Sequence, residues 1–471
     1  MAQKNETPVL IVSLLVTIVL LSAGVWWLFS RFNLGDVLPT GGEPAQIGRS
    51  PNANTPVRQR LSVGQQVLLS EGASAQKQAG VEALASGNFE QAIAELEASL
   101  RNNRNDPEAL IYLNNARIGD QTAYTIAVSV PARNAVSPAL EILRGVAQAQ
   151  DEVNQAGGIN GVPLKVMIAS DDNDPATSRA VADALVDDSS VLGVIGHFGS
   201  EASLAAGEVY QQGGLVMVSP TSTSAQLSDL GNYVFRTVPS DRFTAAALSR
   251  YMVNQAQQQN AAVYFNSSSD YSRSLKDEFT TAIYGDGGQV VAEFDLSTPT
   301  FDAVDSVNQA QQQDADVLVL LTNTATLDQA LQVVTVNRQQ LSILGGDSVY
   351  TSKTLQVGGD AAVGMVVAVP WNLQSNTQSE FVQTSRQLWG GDVNWRTAMA
   401  YDAARVLIAG LETNPTRQGV QQAIAASGFS IAGATGQIRF LPSGDRNQAT
   451  QLVEVEPGSR SGYGFDFDLV Q

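Results

Sequence analysis

Residues 191–201 read VLGVIGHFGSE and residues 215–224 read LVMVSPTSTS, and these two stretches are the strongest indication of the fold class. Each is a short apolar run that ends in a turn rich in Ser and Thr. From residue 124 to about 455, such runs alternate with amphipathic stretches, which indicates strands alternating with helices in a largely parallel sheet. Parallel sheets bind ligands beyond the carboxyl ends of their strands. Hydroxyl groups there, ahead of helix N-termini, predict a site for a small carboxylate without any basic side chain.

The composition limits which kinds of binding partner and which kinds of catalytic or metal site are expected. Of 471 residues, 27 are Lys or Arg and 46 are Asp or Glu, which gives a formal net charge of −19. A chain this acidic repels nucleic acid, so no nucleic-acid partner is expected. It has no Cys and a single histidine, His197, interpreted as a structural hydrogen-bonding residue rather than a base. No metal, cofactor or enzymatic activity is predicted, although a site that uses acids alone stays open.

The N-terminal part predicts a membrane anchor. Residues 8–30 form an uncharged, mostly apolar run long enough to span a bilayer as a signal-anchor. Cleavage after Ala23 by a signal peptidase is the alternative, but Leu21 is large for that position. We therefore expect a single-pass protein of the cell membrane. The charges on the two sides nearly balance, so its extracytoplasmic orientation follows from the inferred function and not from charge.

Two further segments precede the main domain. Residues 31–74 are rich in Gly, Pro, Asn and Ser and predict a flexible linker. Residues 75–118 have helical periodicity and resemble one tetratricopeptide repeat, with small residues where its two helices would touch. One repeat cannot bury a core alone. A helical spacer docked on the main domain is the favoured interpretation, and a repeat that binds a protein partner is the alternative.

The main domain resembles the periplasmic branched-chain amino acid-binding proteins, which are substrate-binding subunits of ABC transporters. The resemblance covers about residues 122–457 and rests on motifs that occur in the order of that family. These are residues 154–161 (NQAGGING), 171–175 (DDNDP), 196–200 (GHFGS), 217–220 (MVSP), 235–241 (FRTVPSD), 345–347 (GGD), 400–403 (AYDA) and 436–445 (GQIRFLPSGD).

The resemblance implies a type I periplasmic-binding fold, an α/β architecture of two lobes whose parallel sheets are flanked by helices. Lobe 1 is expected at about residues 122–241 and 371–440. Lobe 2 is expected at about 242–370 and 441–457, followed by a C-terminal tail at 458–471.

The resemblance also implies how the ligand is held. In that family a bound amino acid lies between the lobes. Carried to this sequence, the hydroxyls of Ser200, Ser222 and Thr223 would hold its carboxylate, Asp347 would pair with its ammonium group, and Tyr271 would cover it. Short alcohols and one acid suit a buried zwitterion, because an unpaired buried charge is very costly. Ser200 as a plain helix N-cap is the structural alternative.

Two departures from the family bear on the ligand's side chain. The first strand is followed by Pro131-Ala132-Arg133-Asn134, and a later strand by Thr322-Asn323-Thr324, where the family has aromatic or Gly-rich segments. An aliphatic pocket is therefore not predicted. The expected function is a membrane-anchored receptor that delivers an amino acid or similar zwitterion to ABC transporter permease subunits. The alternative is a ligand-free scaffold of the cell envelope that contacts protein partners.

Overall fold

The structure, a computed structural model, describes residues 56–70 and 72–470. The predicted anchor at residues 8–30 and most of the predicted linker lie outside the described residues. Within the described part, no helix is both long enough and apolar enough to cross a membrane.

Fifteen strands occur in the described residues. In chain order they are β1 (Leu61–Ser62), β2 (Tyr124–Val130), β3 (Leu164–Ser170), β4 (Val191–Ile195), β5 (Met217–Ser219), β6 (Val234–Arg236), β7 (Asn260–Phe265), β8 (Gln289–Asp295), β9 (Val317–Leu321), β10 (Ser342–Gly345), β11 (Val366–Val369), β12 (Ile431–Gly433), β13 (Gly436–Ile438), β14 (Gln451–Pro457) and β15 (Phe465–Leu469).

Thirteen α-helices occur in the same part of the chain. They are α1 (Ala75–Ala85), α2 (Phe89–Asn102), α3 (Pro107–Ile118), α4 (Val136–Gln155), α5 (Pro175–Asp187), α6 (Ser200–Gly213), α7 (Asp241–Arg250), α8 (Asp270–Asp286), α9 (Ala303–Gln312), α10 (Leu327–Asn337), α11 (Glu380–Trp389), α12 (Trp395–Thr413) and α13 (Arg417–Ala425).

Two sheets with helices on both faces form two lobes. The sheet of lobe 1 has the order β1-β3-β2-β4-β5-β6, and that of lobe 2 the order β15-β14-β11-β10-β9-β7-β8. Apolar clusters lie on each face of each sheet. All five residues of β9 are buried, as expected for a strand covered on both faces. Three chain segments connect the lobes, after β6, after β11 and after β13.

The sheets are mixed, which corrects the prediction of parallel sheets. The pairs β1–β3, β11–β14 and β14–β15 are antiparallel, whereas the other strand pairs of these two sheets are parallel. Strands β12 and β13 pair antiparallel in a separate two-stranded sheet. Residues 458–471, predicted as a tail, contain β15, which pairs with β14. Strands β1 and β15 lie at sheet edges, and antiparallel pairing needs no helical crossover, so βα alternation does not reveal them.

The segment before the main domain packs on lobe 1. Residues 57–62, assigned to a flexible linker, form a helical turn and strand β1, so that assignment is wrong for these residues. Arg60 Nη1 lies 2.6 Å from Asp172 Oδ2, and both side chains are buried. Helices α1 and α2 pack on each other, and α3 packs against α2, α4 and β3. The helical segment predicted at 75–118 therefore docks on lobe 1.

Candidate ligand-binding cleft

A cavity of about 430 Å³ lies between the carboxyl ends of the two sheets and is lined by both lobes. Lobe 1 contributes Ser200 and Thr221, and lobe 2 contributes Tyr271, Asn323 and Asp347. Three of the five predicted site residues, two of them from lobe 2 and one from lobe 1, thus share one cavity. That placement is the one expected of a ligand held between lobes.

Ser200 is positioned by the turn that begins α6. The N-cap of α6 is Gly199, whose N–H donates to Asn173 Oδ1 at 2.9 Å, so Ser200 is the first helical residue and not the cap. Its Oγ accepts the N–H of Ser224 at 3.3 Å. This bond ties the turn after β4 to the turn after β5. A ligand anion beside Ser200 would also meet the positive end of the α6 dipole.

Ser222 and Thr223 belong to the second turn but do not line this cavity among the described residues. Ser222 Oγ lies 2.7 Å from Ser203 Oγ and 3.2 Å from the carbonyls of His197 and Phe198. The Ser222 hydroxyl therefore holds the two turns together, and the ligand contact predicted for it stays a prediction. The carbonyl of Thr223 accepts the N–H of Asp241 at 2.8 Å.

Asp347 follows β10 and provides the anion of the lobe 2 wall. It is 6% exposed, and Tyr271 donates its hydroxyl to Asp347 Oδ1 at 2.7 Å. Burial raises the pKa of Asp347, while the Tyr271 hydroxyl and the charge of Arg396 act in the opposite direction. A ligand ammonium group at this wall would favour the ionised carboxylate and relieve part of its desolvation.

Arg396, in the first turn of α12, is a cleft residue that was not predicted from the sequence. It is 7% exposed, its Nη1 lies 3.2 Å from Glu141 Oε2, and its guanidinium carbon lies 4.5 Å from the Trp395 ring centroid. Its Nε is buried and has no hydrogen-bond partner in the described part of the chain. One feature of the sequence does mark Arg396 as unusual: it places a cation in the first turn of a helix, where the helix dipole disfavours positive charge.

A second cavity of about 550 Å³ adjoins the first. Both cavities are lined by Thr324, Ser348 and Arg396, so they form one cleft with Arg396 at the junction. The far part is lined by the start of α4, by the connection after β11 and by residues of the C-terminal segment around β15.

His197 lies behind the cleft and is fully buried. Its Nδ1 lies 2.6 Å from Asp171 Oδ2 and its Nε2 lies 3.1 Å from Tyr210 Oη. Both ring nitrogens therefore have partners inside lobe 1, and the prediction of a structural hydrogen-bonding histidine is confirmed. Residues 56–70 and 72–470 contain no group of three or more His, Asp or Glu side chains that could hold a metal ion.

The lobes also touch at the rim of the cleft. Glu201 Oε1 of lobe 1 accepts the N–H of Asp270, the first residue of α8 in lobe 2, at 2.5 Å. Ser274 Oγ of lobe 2 accepts the N–H of Ala225 at 2.9 Å. The structure is therefore a conformation in which the lobes contact each other at this side.

Comparison with known families decides the identity of the main domain. A model described as periplasmic binding protein matches residues 124–460, well over half of the chain. The chain belongs to the periplasmic binding protein family. Membership of this family implies an extracytoplasmic location and a role in binding a substrate.

Relatives of this periplasmic binding protein are named for amino acids. An amino acid binding protein of Pseudomonas aeruginosa is 35% identical over 135 residues, which are 28% of this chain and 36% of that relative. A Leu/Ile/Val-binding protein of Rhizobium johnstonii is 24% identical over 325 residues, 68% of this chain and 87% of the relative. Among solved structures, an ABC transporter substrate-binding protein of Desulfitobacterium hafniense in complex with Leu superposes with a TM-score of 0.62 at 25% identity, covering 73% of this chain and 99% of that chain.

Proposed function

We propose that this periplasmic binding protein captures an amino acid or a similar small zwitterion in the cleft between its lobes and delivers it to an ABC transporter. In this proposal Ser200 and the start of α6 bind the carboxylate, Asp347 binds the ammonium group, and Tyr271 orients Asp347 and covers the ligand. Ser222 and Thr223, in the neighbouring turn of lobe 1, stay proposed carboxylate contacts.

One observation carries the proposal: an anion-binding helix start and a buried carboxylate face the same cavity from different lobes. Ser200 lines it from lobe 1 and Asp347 from lobe 2. A ligand with two opposite charges satisfies both walls only when the lobes are close together, so it would shift an open–closed equilibrium toward the closed form. Each charge-assisted hydrogen bond is worth about 1.5–3 kcal/mol, enough for micromolar affinity after the cost of ordering the lobes.

The proposal includes an anchor. Residues 8–30 would hold the protein in the cell membrane as an uncleaved signal-anchor, and the following residues up to about 56 would tether the binding domain. A tether of this kind keeps the receptor near membrane-embedded permease subunits at a high effective concentration. Fractionation of cells, followed by N-terminal sequencing of the membrane-bound protein, tests the anchor separately from ligand binding.

A ligand screen tests the central claim. The purified full-length protein is melted with each of the twenty amino acids at millimolar concentration, and hits are titrated by calorimetry. A ligand at 100 times its Kd stabilises the folded protein by about 2.7 kcal/mol, which is a shift of several degrees. A hit with micromolar Kd supports the receptor. No shift with any amino acid, in a protein that melts cooperatively, rejects it and favours the scaffold function.

A further inference from the structure

The charges around the second cavity differ from those of the chain as a whole. In a protein with 46 acidic and 27 basic residues, this cavity is lined by four cations and three acids. The cations are Arg144, Lys353, Arg396 and Arg460, and the acids are Glu141, Asp392 and Asp466. The lining of this cavity is therefore not acidic, unlike the chain as a whole, and it does not repel an anionic group.

Charges of both signs in this lining have partners of their own. Lys353 pairs with Asp328, and Arg460 pairs with Asp468. Asp392 Oδ1 lies 2.6 Å from Arg386 Nε. The carboxylate of Asp466 accepts the backbone N–H groups of Arg460 and Ser461 at 2.9 and 2.6 Å. Glu141 is the one acid of this cavity that pairs with Arg396, over 3.2 Å to a single nitrogen.

Arg396 has unused capacity for a second carboxylate. A guanidinium has five N–H donors in a planar fork that fits a carboxylate through two bonds. Glu141 contacts Nη1, whereas the buried Nε has no hydrogen-bond partner in the described residues. The Nε is enclosed by protein, so a ligand carboxylate would bind at the terminal nitrogens, where Glu141 occupies a single position.

The position of Arg396 indicates which part of the ligand it meets. Ser200 and Asp347 line the first cavity only, whereas Arg396 lines both. A ligand whose backbone carboxylate and ammonium group are held by Ser200 and Asp347 therefore has Arg396 at the opening into the second cavity, through which its side chain would extend.

From this arrangement we infer that the protein selects an amino acid with a carboxylate on its side chain, such as glutamate, and that Arg396 is the specificity-determining residue. This inference rests on the proposed function, because it requires an amino acid backbone held by Ser200 and Asp347. Glu141 competes with the ligand for the guanidinium and keeps Arg396 in place when no ligand is bound.

Glutamate and glutamine test the inference, since they have nearly the same shape and differ in the side-chain charge. Calorimetry on the full-length protein is expected to show glutamate binding at least about 10-fold more tightly than glutamine. Arg396→Met, which keeps the apolar stem, is expected to weaken glutamate binding by about 30-fold or more while changing glutamine binding by less than about 3-fold. Arg396→Lys should restore part of the preference.

Glu141→Gln is the matched control, because it breaks the same ion pair but keeps the cation. It is expected to leave glutamate binding equal to the wild type or stronger. The inference is overturned if the wild type prefers glutamine or leucine, if Arg396→Met weakens both ligands equally, or if Glu141→Gln and Arg396→Met behave alike, as a purely structural pair would. If none of the amino acids binds at all, both this inference and the proposed function are wrong. The preference of the wild-type protein for glutamate over glutamine tests the inference even where a variant does not fold.

Discussion

The hydroxyl of Tyr271 donates to Asp347 Oδ1 at 2.7 Å, and through this bond two residues that are 76 positions apart form one wall of the cleft. Tyr271 is in the first turn of α8, and Asp347 follows β10. Both side chains are buried, so the bond fixes the carboxylate in an orientation that solvent does not disturb. A carboxylate held in this way is already oriented for a cation, which lowers the entropy cost of binding one.

Replacing Asp347 tests the ammonium assignment directly. Asp347→Ala leaves the ligand's ammonium group without a counter-charge, and we expect binding to weaken by about 2–4 kcal/mol. Asp360→Ala is the matched control, because Asp360 is an exposed acid of the same lobe. Calorimetry with the amino acid found in the screen measures both. An unchanged affinity in Asp347→Ala would reject the assignment.

Tyr271→Phe removes the hydroxyl and keeps the ring. Binding is expected to weaken by about 1–2 kcal/mol at pH 7, since one hydrogen bond to a charged group is lost. The pH dependence gives a second readout. The Tyr271 hydroxyl opposes the effect of burial on the pKa of Asp347, so its loss raises that pKa further. An ammonium ligand needs the ionised carboxylate, so affinity should begin to fall at a higher pH in the variant as the solution is acidified. Titrations between pH 5 and 8 measure this, and identical profiles would contradict it.

Asp241, the first residue of α7, makes the stability of the protein depend on pH. Burial raises the pKa of Asp241 to about 7, although the hydroxyls of Ser274 and Thr223 and the Arg236 guanidinium act in the opposite direction. The folded protein then binds a proton at Asp241 more tightly than the unfolded chain does. Its contribution to the free energy of unfolding therefore falls as the pH rises from about 4 to about 7, and is level above that.

Asp241→Asn removes this contribution. Relative to the wild type, the variant should gain about 1–3 kcal/mol of stability between pH 4.5 and pH 8. Thermal unfolding of the ligand-free protein at the two pH values measures the gain, and Asp229→Asn, at an exposed acid, is the control. A difference in Tm between Asp241→Asn and the wild type that is the same at both pH values would show that Asp241 titrates normally.

Much of the fold was predictable because the strands of its parallel parts are apolar and separated by amphipathic helices. The runs around β4 and β5, for example, are almost continuously buried. The placement of Ser200, Tyr271 and Asp347 in one cavity came from motif resemblance, since residues so far apart in sequence carry no local signal of proximity.

The strands and site residues that were not predicted from the sequence were missed for different physical reasons. Strand β1 has two residues, one of them a serine, which is too short for any periodicity. Strand β15 does have a signal: Phe465, Phe467 and Leu469 alternate with two acids, the period of a half-buried strand. The hydrogen bonds of the Ser222 hydroxyl within lobe 1 depend on the direction of its side chain, which a Ser/Thr-rich turn does not specify. Arg396 fits the pattern of the sequence around it, apart from the general preference against a cation in the first turn of a helix.

Asn115 of α3 attaches the helical segment to lobe 1. Its Nδ2 donates to the carbonyls of Val63 and Val166 at 2.9 and 2.7 Å, and its Oδ1 accepts from Gln150 Nε2 at 2.9 Å. Asn115→Ala strands several buried polar groups, so we expect a loss of about 2–4 kcal/mol in the free energy of unfolding. Arg117→Ala, which removes an exposed ion pair of the same helix, should cost less than about 1 kcal/mol. Urea unfolding measures both, and equal losses would show that the segment is not docked through Asn115.

Gly145 and Gly285 predict opposite results for the same substitution. A Cβ on Gly145 in α4 would lie 2.2 Å from the Thr397 carbonyl oxygen and 2.5 Å from the Tyr401 nitrogen, both in the backbone of α12. Gly145→Ala therefore forces two helices apart, and we expect it to cost about 1–3 kcal/mol despite the better helix propensity of Ala. A Cβ on Gly285 in α8 would meet no atom of the described residues within 4 Å, so Gly285→Ala should stabilise by about 0.5 kcal/mol. Thermal unfolding of the two variants gives the signs. A Gly145→Ala protein as stable as the wild type would mean that α4 and α12 do not approach this closely, and lobe 1 would then lack the contact on which the position of Arg396 depends.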